Sequence, residues 1–417
     1  MTAPLAGVRV VNLTHYLQGP SCAQYLADLG ADVIKVERIG GAYERHWSGA
    51  KAFVNDQSVF FLLAGRNQRS AEIDLSTPEG SDALWKLIES ADVLVENFRA
   101  GTLDRRGYSY EEVKKRNPRI IYCSLTGYGA TGPNRSKPGQ DLLIQSLSGL
   151  AMLSGRADDA PMPVGSAIVD QHAATLGAMG ILAALLQRNN TGEGMRVDSN
   201  LLSAALNLQL EPLNYHLNGA KLWDRSASGV SSRFHQAPYG SFKTADGWIT
   251  MSLSDGPTLG KAFKDESFAP LTRDDQFDRR EEVNSRVAKH MEQHTTAEWM
   301  ATFDEFGIWY AEVREYDEVL ADPQVAANQS ILEYNDPAGG QVRLLAHPVK
   351  YDGAVPPLTR LPPQPGEHTE EVLRELGYSA DDVAALRGSN AVGPDRKAVP
   401  FDRVSSAPAS AYSRKKA

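Results

Sequence analysis

Short apolar, β-branched runs alternate with segments of helical periodicity over the first 130 residues. The helical segments fall at 21–30, 82–91 and 108–116, and the apolar runs predict strands at residues 7–14, 32–39, 70–76, 92–98 and 119–127. Strands that are apolar throughout and are joined by helices are typical of a parallel sheet buried on both faces. The first part of the chain therefore predicts an α/β fold.

A second pattern follows, richer in helices. Helical periodicity predicts helices at 141–153, 170–187 and 201–217, and the segment at 170–187 is apolar all round, as expected of a buried helix. Residues 237–254 predict a hairpin that turns near Ala245-Asp246-Gly247. A charged helical stretch spans 272–294, a strand pattern returns at 340–351, and 366–378 is an amphipathic helix.

These changes predict a discontinuous domain organisation. We assign 1–215 to the first part of a large domain, 216–329 to a smaller α+β domain, and 330–387 to a return of the chain to the large domain. Residues 388–417 lack periodicity and carry a net charge of +4, which predicts a disordered or partner-wrapped tail.

Composition narrows the functional classes. The chain carries 43 Lys and Arg against 52 Asp and Glu, a net charge of −9, which argues against general nucleic-acid binding. Two cysteines exclude a disulfide framework and a thiolate zinc cage. The N-terminus lacks a signal-peptide pattern, and the longest apolar run, 173–186, is short for a membrane span. We expect a cytoplasmic protein without a membrane partner.

Two short motifs have ordinary explanations. Residues 127–132 match GxGxxG after a predicted strand, but a loop containing Pro133 and Pro138 follows instead of a helix, so we interpret the motif as a glycine-rich turn. His290 and His294 have the spacing of metal ligands on a helix. No third ligand is evident and their neighbours are charged, which favours a solvated helix face and no metal.

Asp170 is the carboxylate of greatest interest. It directly precedes the long apolar helix, where an Asp is commonly an N-cap. Helix-terminal amides also favour an ionised carboxylate, so the same position suits a nucleophile, and the pattern alone leaves both interpretations open. Four cations follow predicted strands at their carboxyl ends, where they would suit a phosphorylated ligand: Arg38, Arg69, Arg105 and Lys137.

Several long strings, taken together, carry a family resemblance; they lie at 7–38, 66–80, 91–107, 127–133, 163–194, 320–329 and 362–379. They resemble the family III CoA-transferases, which include formyl-CoA transferase and carnitine CoA-transferase. The likeness covers most of residues 5–387 and weakens at about 220–315. It implies a Rossmann-like large domain built from both chain ends, a small domain between them, and an interlocked homodimer.

The resemblance also implies an activity. CoA would move from an acyl-CoA to a small carboxylic acid through aspartyl anhydride and aspartyl-CoA thioester intermediates, with Asp170 as the nucleophile. CoA would be a substrate, and no tightly bound cofactor or metal is implied. Nucleic acid and membrane are not expected partners.

Matching to the family's CoA-contact positions yields a set of candidate binding residues. They are His15, Leu17, Arg38, Leu75, Asn97, Phe98, Arg105 and Lys137. Formyl-CoA transferase has a glutamine at the position of Leu17, and here Gln18 follows it, so Gln18 is the candidate oxyanion or positioning group. Gln140 is a second such candidate. The glycine run of that enzyme is missing, and SASGVSSR (226–233) lies in its region.

Two alternatives accompany this prediction. The α-methylacyl-CoA racemases share the fold and the aspartate, but they use a histidine as second acid/base where this chain has Gln140, which cannot exchange a proton near neutral pH. The other alternative is a catalytically silent CoA-binding protein. Retention of Asp170 argues against that alternative.

Overall fold

A six-stranded parallel sheet organises the larger of two structural units. The computed structural model of the chain describes residues 3–395; residues 1–2 and 396–417 lie outside that range. Its strands, in chain order, are β1 (Arg9–Asn12), β2 (Asp32–Glu37), β3 (Phe53–Val54), β4 (Gln57–Ser58), β5 (Gln68–Glu72), β6 (Val93–Glu96), β7 (Ile121–Thr126), β8 (Arg196–Asn200), β9 (Tyr239–Lys243), β10 (Trp248–Ser252), β11 (Trp309–Glu312), β12 (Ile331–Asn335) and β13 (Gln341–Leu345).

The strand order of the large sheet is β5-β2-β1-β6-β7-β8, with every neighbouring pair parallel. The chain thus builds outward from β1 in one direction and then returns to build outward in the other, as in doubly wound folds. The predicted α/β class and parallel sheet are confirmed. Strand β8 was not predicted, because its sequence, RVDSN, is largely polar.

The strand order reverses between β1 and β6, and this position is called the switch point. Ligands of doubly wound sheets bind there, beyond the carboxyl ends of the strands.

The α-helices of the described chain connect and cover these strands. They are α1 (Gln18–Asp28), α2 (Val59–Leu62), α3 (Pro78–Glu89), α4 (Thr102–Arg105), α5 (Tyr110–Arg116), α6 (Asp141–Leu147), α7 (Ile168–Thr191), α8 (Leu201–Leu208), α9 (Leu210–Leu217), α10 (Gly256–Phe263), α11 (Arg273–Asp278), α12 (Arg280–Met291), α13 (Thr296–Phe306), α14 (Tyr316–Ala321), α15 (Pro323–Ala327), α16 (Thr369–Glu375) and α17 (Ala380–Gly388).

Two apolar cores cover the two faces of the large sheet. Side chains of α3, α5, α16 and α17 form one core, and side chains of α1 and α7 form the other. Helix α7 is long and apolar enough to cross a membrane by length and composition, and it is longer than the predicted 170–187. In this fold α7 packs against α1, β7 and β8. At Gly177 a Cβ would lie 2.8 Å from a methyl carbon of Leu125, so the absence of a side chain permits this close packing.

The smaller unit comprises residues 142–167 and 205–319. Its antiparallel sheet has the order β11-β10-β9, and its core contains the buried aromatics Phe242, Phe268, Trp299 and Phe303. The predicted hairpin is confirmed, since β9 and β10 pair across residues 244–247. Strand β11 pairs antiparallel with β10 and completes the sheet.

Among the described residues, 3–141, 168–204 and 320–395 group as the larger unit, and this division differs from the predicted bounds at 142–167, 205–215 and 320–329. The predicted helix at 141–153 ends at Leu147, ahead of Gly149 with φ +85°, and the predicted helix at 201–217 is interrupted at Gln209. The start of the predicted tail is ordered: Val392 is buried and bridges Ile73 at the sheet edge. The rest of that tail lies outside the described residues.

Candidate active site

The turn that follows β1 lies at the switch point. Asn12 Oδ1 accepts hydrogen bonds from the backbone N–H and the hydroxyl of Thr14, at 3.0 and 2.6 Å. Tyr16 has a φ of +63°, in the left-handed region that non-glycine residues rarely adopt. At Gly19 a Cβ would lie 2.3 Å from Cβ of Thr14, so only glycine allows α1 to begin this close to the turn. Such strain persists where the surroundings fix the backbone, and it is found preferentially at functional sites.

Asn97 joins this turn to the end of β6. Its side chain accepts the N–H of His15 at 2.8 Å and donates to the carbonyl of His15 at 2.7 Å. The ring of Phe98 meets the imidazole of His15 edge-on, with 5.4 Å between ring centroids. Three of the predicted CoA-contact residues therefore lie together at the switch point. The amide group of Asn97 is occupied by backbone, so this residue shapes the site through His15.

Glu96, at the end of β6, also stabilises the switch point, and the sequence analysis did not predict it as a site residue. It is buried, accepts the hydroxyl of Ser124 and accepts the N–H of Phe98 at 2.9 Å. Burial raises the pKa of Glu96 to about 7, against the lowering effect of these hydrogen bonds. Its pattern in the sequence, the last position of an apolar strand, gives no sign of such a partner.

A second unpredicted support is the buried ion pair of Lys35 and Glu44. Lys35 Nζ donates to Glu44 Oε1 at 2.8 Å and to the carbonyl of Thr14 at 2.9 Å. Burial opposes the charge on Glu44, but Lys35 outweighs it and holds the pKa of this carboxyl well below its ordinary value. The other carboxylate oxygen lies 3.8 Å from Nδ1 of His15.

Gln18 is the first residue of α1 and its side chain is buried. Within the part of the chain that the structure describes, its Nε2 has no hydrogen-bond partner. One turn later, Ser21 Oγ accepts a hydrogen bond from Gln171 of α7 at 3.2 Å, so the first turns of the two helices adjoin. Leu17, just ahead, is half-buried. A buried, unpartnered amide donor is the kind of group that can stabilise an oxyanion.

Asp170 lies inside the first turn of α7. The helix begins two residues earlier, at Ile168, and the carboxylate of Asp141 accepts the backbone N–H groups of Val169 and Asp170, at 2.7 and 2.9 Å. The N-cap interpretation of Asp170 is therefore wrong, because Asp141 performs that function. The side chain of Asp170 is half-buried and remains available for chemistry.

The pKa of Asp170 also differs from expectation. Helix-terminal amides were expected to favour the ionised carboxylate and so to lower this pKa, but the opposite is found. Burial, and then the negative charge of Asp141, raise the pKa of Asp170 to about 7. The two carboxylates belong to adjacent helix ends, so ionising both is unfavourable. A carboxylate whose pKa is near neutral combines an accessible ionised form with high basicity, a property common in catalytic groups.

The remaining predicted residues border this centre. Arg38, Arg105 and Lys137 are exposed in segments that follow β2, β6 and β7. Leu75 follows β5 and packs against the sheet core. Gln140 is exposed directly before Asp141. A Cβ added to Gly139 would lie 2.4 Å from Cα of Gly127, which fixes this segment against the end of β7.

The prediction for Arg69 is wrong. Strand β5 begins at Gln68, so Arg69 lies at the amino end of its strand and not at the carboxyl end. It is buried and forms ion pairs with Asp32, Glu371 and Glu375 at 2.6 to 2.8 Å. Its function is to join the sheet to helix α16.

The two short motifs have local roles. Residues 127–132 form a loop after β7, and α6 begins only at Asp141, as the glycine-turn interpretation predicts. His290 stacks on Phe263 with 5.0 Å between ring centroids, and its Nε2 lies 3.1 Å from Asp265. The prediction of a solvated helix face is therefore wrong for His290, which is a packed side chain with a carboxylate partner, and His294 lies beyond the end of α12 at Met291.

Doubly wound sheets commonly bind nucleotide-containing ligands at the switch point, which is where His15, Gln18 and Asn97 lie. A family model described as CoA-transferase family III matches residues 5–369. The chain belongs to this family, and the prediction of a CoA-transferase is confirmed at that level.

Individual relatives agree. Succinyl-CoA:glutarate CoA-transferase of Mus musculus is 33% identical, over 89% of this chain and 86% of its own. Formyl-CoA:oxalate CoA-transferase of Shigella sonnei is 30% identical, over 94% of this chain and 100% of its own. The crystal structure of a CaiB/BaiF family protein from Brucella suis matches with a TM-score of 0.78 and 30% identity, covering 90% of this chain and 100% of that one.

Proposed function

We propose that this CoA-transferase moves CoA from an acyl-CoA to a dicarboxylic acid, with Asp170 as the covalent nucleophile. The observation that carries the proposal is the half-buried carboxylate of Asp170 in the first turn of α7, beside a helix cap that another residue provides. The relatives named above act on glutarate and oxalate, and both are dicarboxylic acids. This common chemistry supports a dicarboxylate as the acceptor.

The first half of the reaction forms an aspartyl-CoA thioester. A carboxylate oxygen of Asp170 attacks the thioester carbonyl carbon, the carbon–sulfur bond breaks, and CoA leaves as the thiolate. The product is a mixed anhydride between Asp170 and the acyl group. The thiolate then attacks the aspartyl carbonyl carbon and releases the donor acid as its carboxylate.

The second half reverses these steps with the acceptor. Its carboxylate attacks the aspartyl thioester, expels the thiolate and forms a second anhydride. The thiolate attacks the acceptor's acyl carbon, which yields the new acyl-CoA and restores the Asp170 carboxylate. No net proton is taken up, and each tetrahedral intermediate needs an oxyanion donor. Gln18 Nε2 is our candidate donor, and Gln140 is the candidate positioning amide.

We assign the CoA nucleotide to the cationic border of the site. Arg38, Arg105 and Lys137 are exposed and follow three different strands at their carboxyl ends, where their charges suit phosphate groups. The chain as a whole carries a net charge of −9, so these local cations must attract an anionic ligand against an acidic background. His15, Leu17, Leu75, Asn97 and Phe98 complete the proposed CoA-binding set.

The test is a panel of donors and acceptors. Purified protein is incubated with succinyl-CoA or formyl-CoA and with oxalate, glutarate, acetate or butyrate, and new acyl-CoA products are separated by chromatography. We expect transfer to at least one dicarboxylate, with kcat/KM about 100-fold above that for the monocarboxylates, because an unpaired group left in a polar site costs binding energy. Equal rates with both classes would contradict the dicarboxylate assignment.

Two further outcomes of the same panel would contradict the transferase proposal. Acyl-CoA binding without transfer to any acid indicates a silent binder. Rapid exchange of the α-proton of a 2-methylacyl-CoA in deuterated water, without transfer, indicates a racemase.

We also propose that the protein is a homodimer with interlocked chains. Helix α7 exposes Met179, Leu182 and Leu186 at 60, 36 and 68%, although most of its remaining apolar side chains pack inward. Light scattering should give about 91 kDa, twice the chain mass of 45.4 kDa. Interlocked chains cannot separate without unfolding, so tagged and untagged dimers should not exchange subunits under native conditions. A stable monomer, or rapid exchange, would contradict this proposal.

A further inference from the structure

The Lys35–Glu44 ion pair contacts the turn that follows β1, and the proposed reaction uses neither side chain. Both side chains are almost completely buried, with exposures of 3 and 1%. Lys35 binds one oxygen of Glu44, at 2.8 Å. The second oxygen, Oε2, is buried and has no hydrogen-bond partner within residues 3–395. Lys35 balances the charge of the carboxylate, but a buried acceptor oxygen without a hydrogen-bond donor is still costly, so this oxygen needs an explanation.

The imidazole of His15 faces this oxygen. Its Nδ1 lies 3.8 Å from Glu44 Oε2, while the backbone of His15 is held on both sides by Asn97. The backbone is therefore fixed by one residue and the imidazole faces a second. Contacts in catalytic sites commonly tighten when substrate binds, and a distance of 3.8 Å is suited to such a contact.

We propose that Glu44 is a positioning residue: Lys35 fixes one oxygen of its carboxylate, and the other holds the imidazole of His15 in the orientation that contacts acyl-CoA. This inference rests on the proposed function, in which His15 belongs to the CoA-binding set. Lys35 also binds the carbonyl of Thr14, so the ion pair fixes both the backbone and the side chain of the turn. The turn contains the strained Tyr16 and requires such support.

The chain contains a matched control for this assignment. Glu37 is as buried as Glu44, and it pairs with Arg45, the next residue along from Glu44. It also accepts the hydroxyl of Ser70 at 2.6 Å and the N–H of Ala42 at 2.8 Å. The two ion pairs hold the same short segment, but only that of Glu44 faces His15. A purely structural role predicts similar effects from removing either charge.

The experiment is a double-mutant cycle. We measure kcat and KM for the donor acyl-CoA in the wild type and in H15A, E44Q, H15A/E44Q and E37Q, together with thermal unfolding of each. We expect H15A and E44Q each to raise KM by about tenfold with kcat changed by less than about twofold, the size of one charge-assisted contact. The double variant should match H15A, and E37Q should lower thermal stability without raising KM.

Other outcomes separate the two hypotheses. An unchanged KM in H15A removes His15 from the CoA-binding set, and the inference fails with it. A raised KM in H15A combined with an unchanged KM in E44Q overturns the inference alone, as does a double variant whose effects add. If E44Q does not fold, K35M/E44M replaces the pair with apolar side chains of similar size, a change that buried ion pairs often tolerate. That variant should reproduce the raised KM.

Discussion

Substitution of Asp170 by asparagine should lower kcat by at least about a thousandfold, because the amide cannot form the covalent intermediate. The change is nearly isosteric, and the backbone N–H of Asp170 still donates to Asp141. We therefore expect the variant to fold and to bind acyl-CoA. Hydroxylamine trapping followed by peptide mass analysis should yield a hydroxamate at Asp170 in the wild type and none in the variant.

The same variant should also be more stable at pH 8. The pKa of Asp170 is about 7 in the folded chain, above its ordinary value of 3.8, so the ionised carboxylate destabilises the fold. That destabilisation is complete above pH 7, and it decreases as the pH falls from 7 towards 4, because the folded chain then takes up the proton first. Thermal unfolding of Asp170→Asn and wild type should therefore differ at pH 8 and converge near pH 4.

Asp82→Asn, a change at an exposed position of α3, is the control and should leave both activity and stability unchanged. Transfer at more than a tenth of the wild-type rate in Asp170→Asn would refute the nucleophile assignment. If hydroxamate forms on another carboxylate, the mechanism stands but Asp170 is not its nucleophile.

The second large expected effect is a steep pH dependence of kcat/KM. Since the reaction needs the ionised form of Asp170 and its pKa is about 7, kcat/KM should fall about tenfold for each pH unit below 6. Asp141→Asn removes the neighbouring charge, while its side-chain oxygen can still accept the two backbone N–H groups. The inflection should therefore move to lower pH, and the variant should be faster than wild type at pH 5.5.

Glu96 makes a control necessary here, because its pKa is also about 7. Glu96→Gln should leave the inflection in place if Asp170 controls it. Should the inflection disappear in Glu96→Gln and persist in Asp141→Asn, the titrating group would be Glu96 and our electrostatic account of Asp170 would be incorrect.

The sequence predicts the elements of this fold well where its pattern is strong. Buried strands such as β2 and β7 agree closely with the predicted ranges, whereas helix α3 begins at Pro78, four residues ahead of the predicted segment. Prediction failed where tertiary contacts decide the outcome. Strand β8 is polar and gains its strand geometry by pairing with β7. The interruption at Gln209 did have a local signal that the prediction passed over: Pro212 cannot donate an i−4 hydrogen bond, so a new helix starts just ahead of it.

The residues of the site also divide into those that local pattern predicts and those that depend on tertiary contacts. Residues that directly follow strands, such as His15 and Asn97, could be expected to meet because carboxyl ends of parallel strands share one edge. Asp141 and Glu96 were missed because each acts on a partner far along the chain, at separations that no short motif encodes. Asp141 caps α7 across 29 positions, and Ser124 reaches Glu96 across 28. Glu44 pairs with Lys35 only nine positions away, and it was missed because its burial beside His15 follows from the folded turn.

Strand β5 lies at the edge of the large sheet, and residues near the C-terminus cover that edge. Because these residues are synthesised last, the edge stays uncovered during most of translation. Ser70 accepts the N–H of His368 on its carbonyl and donates its N–H to that ring across 298 positions, and Gly393 donates to the carbonyl of Glu72. A ribosome needs about 15 to 60 s to add 300 residues. Until then the nascent chain carries an unpaired strand edge, a template for aggregation. We therefore expect chaperones to bind the emerging N-terminal half, and truncation before residue 366 to yield insoluble product.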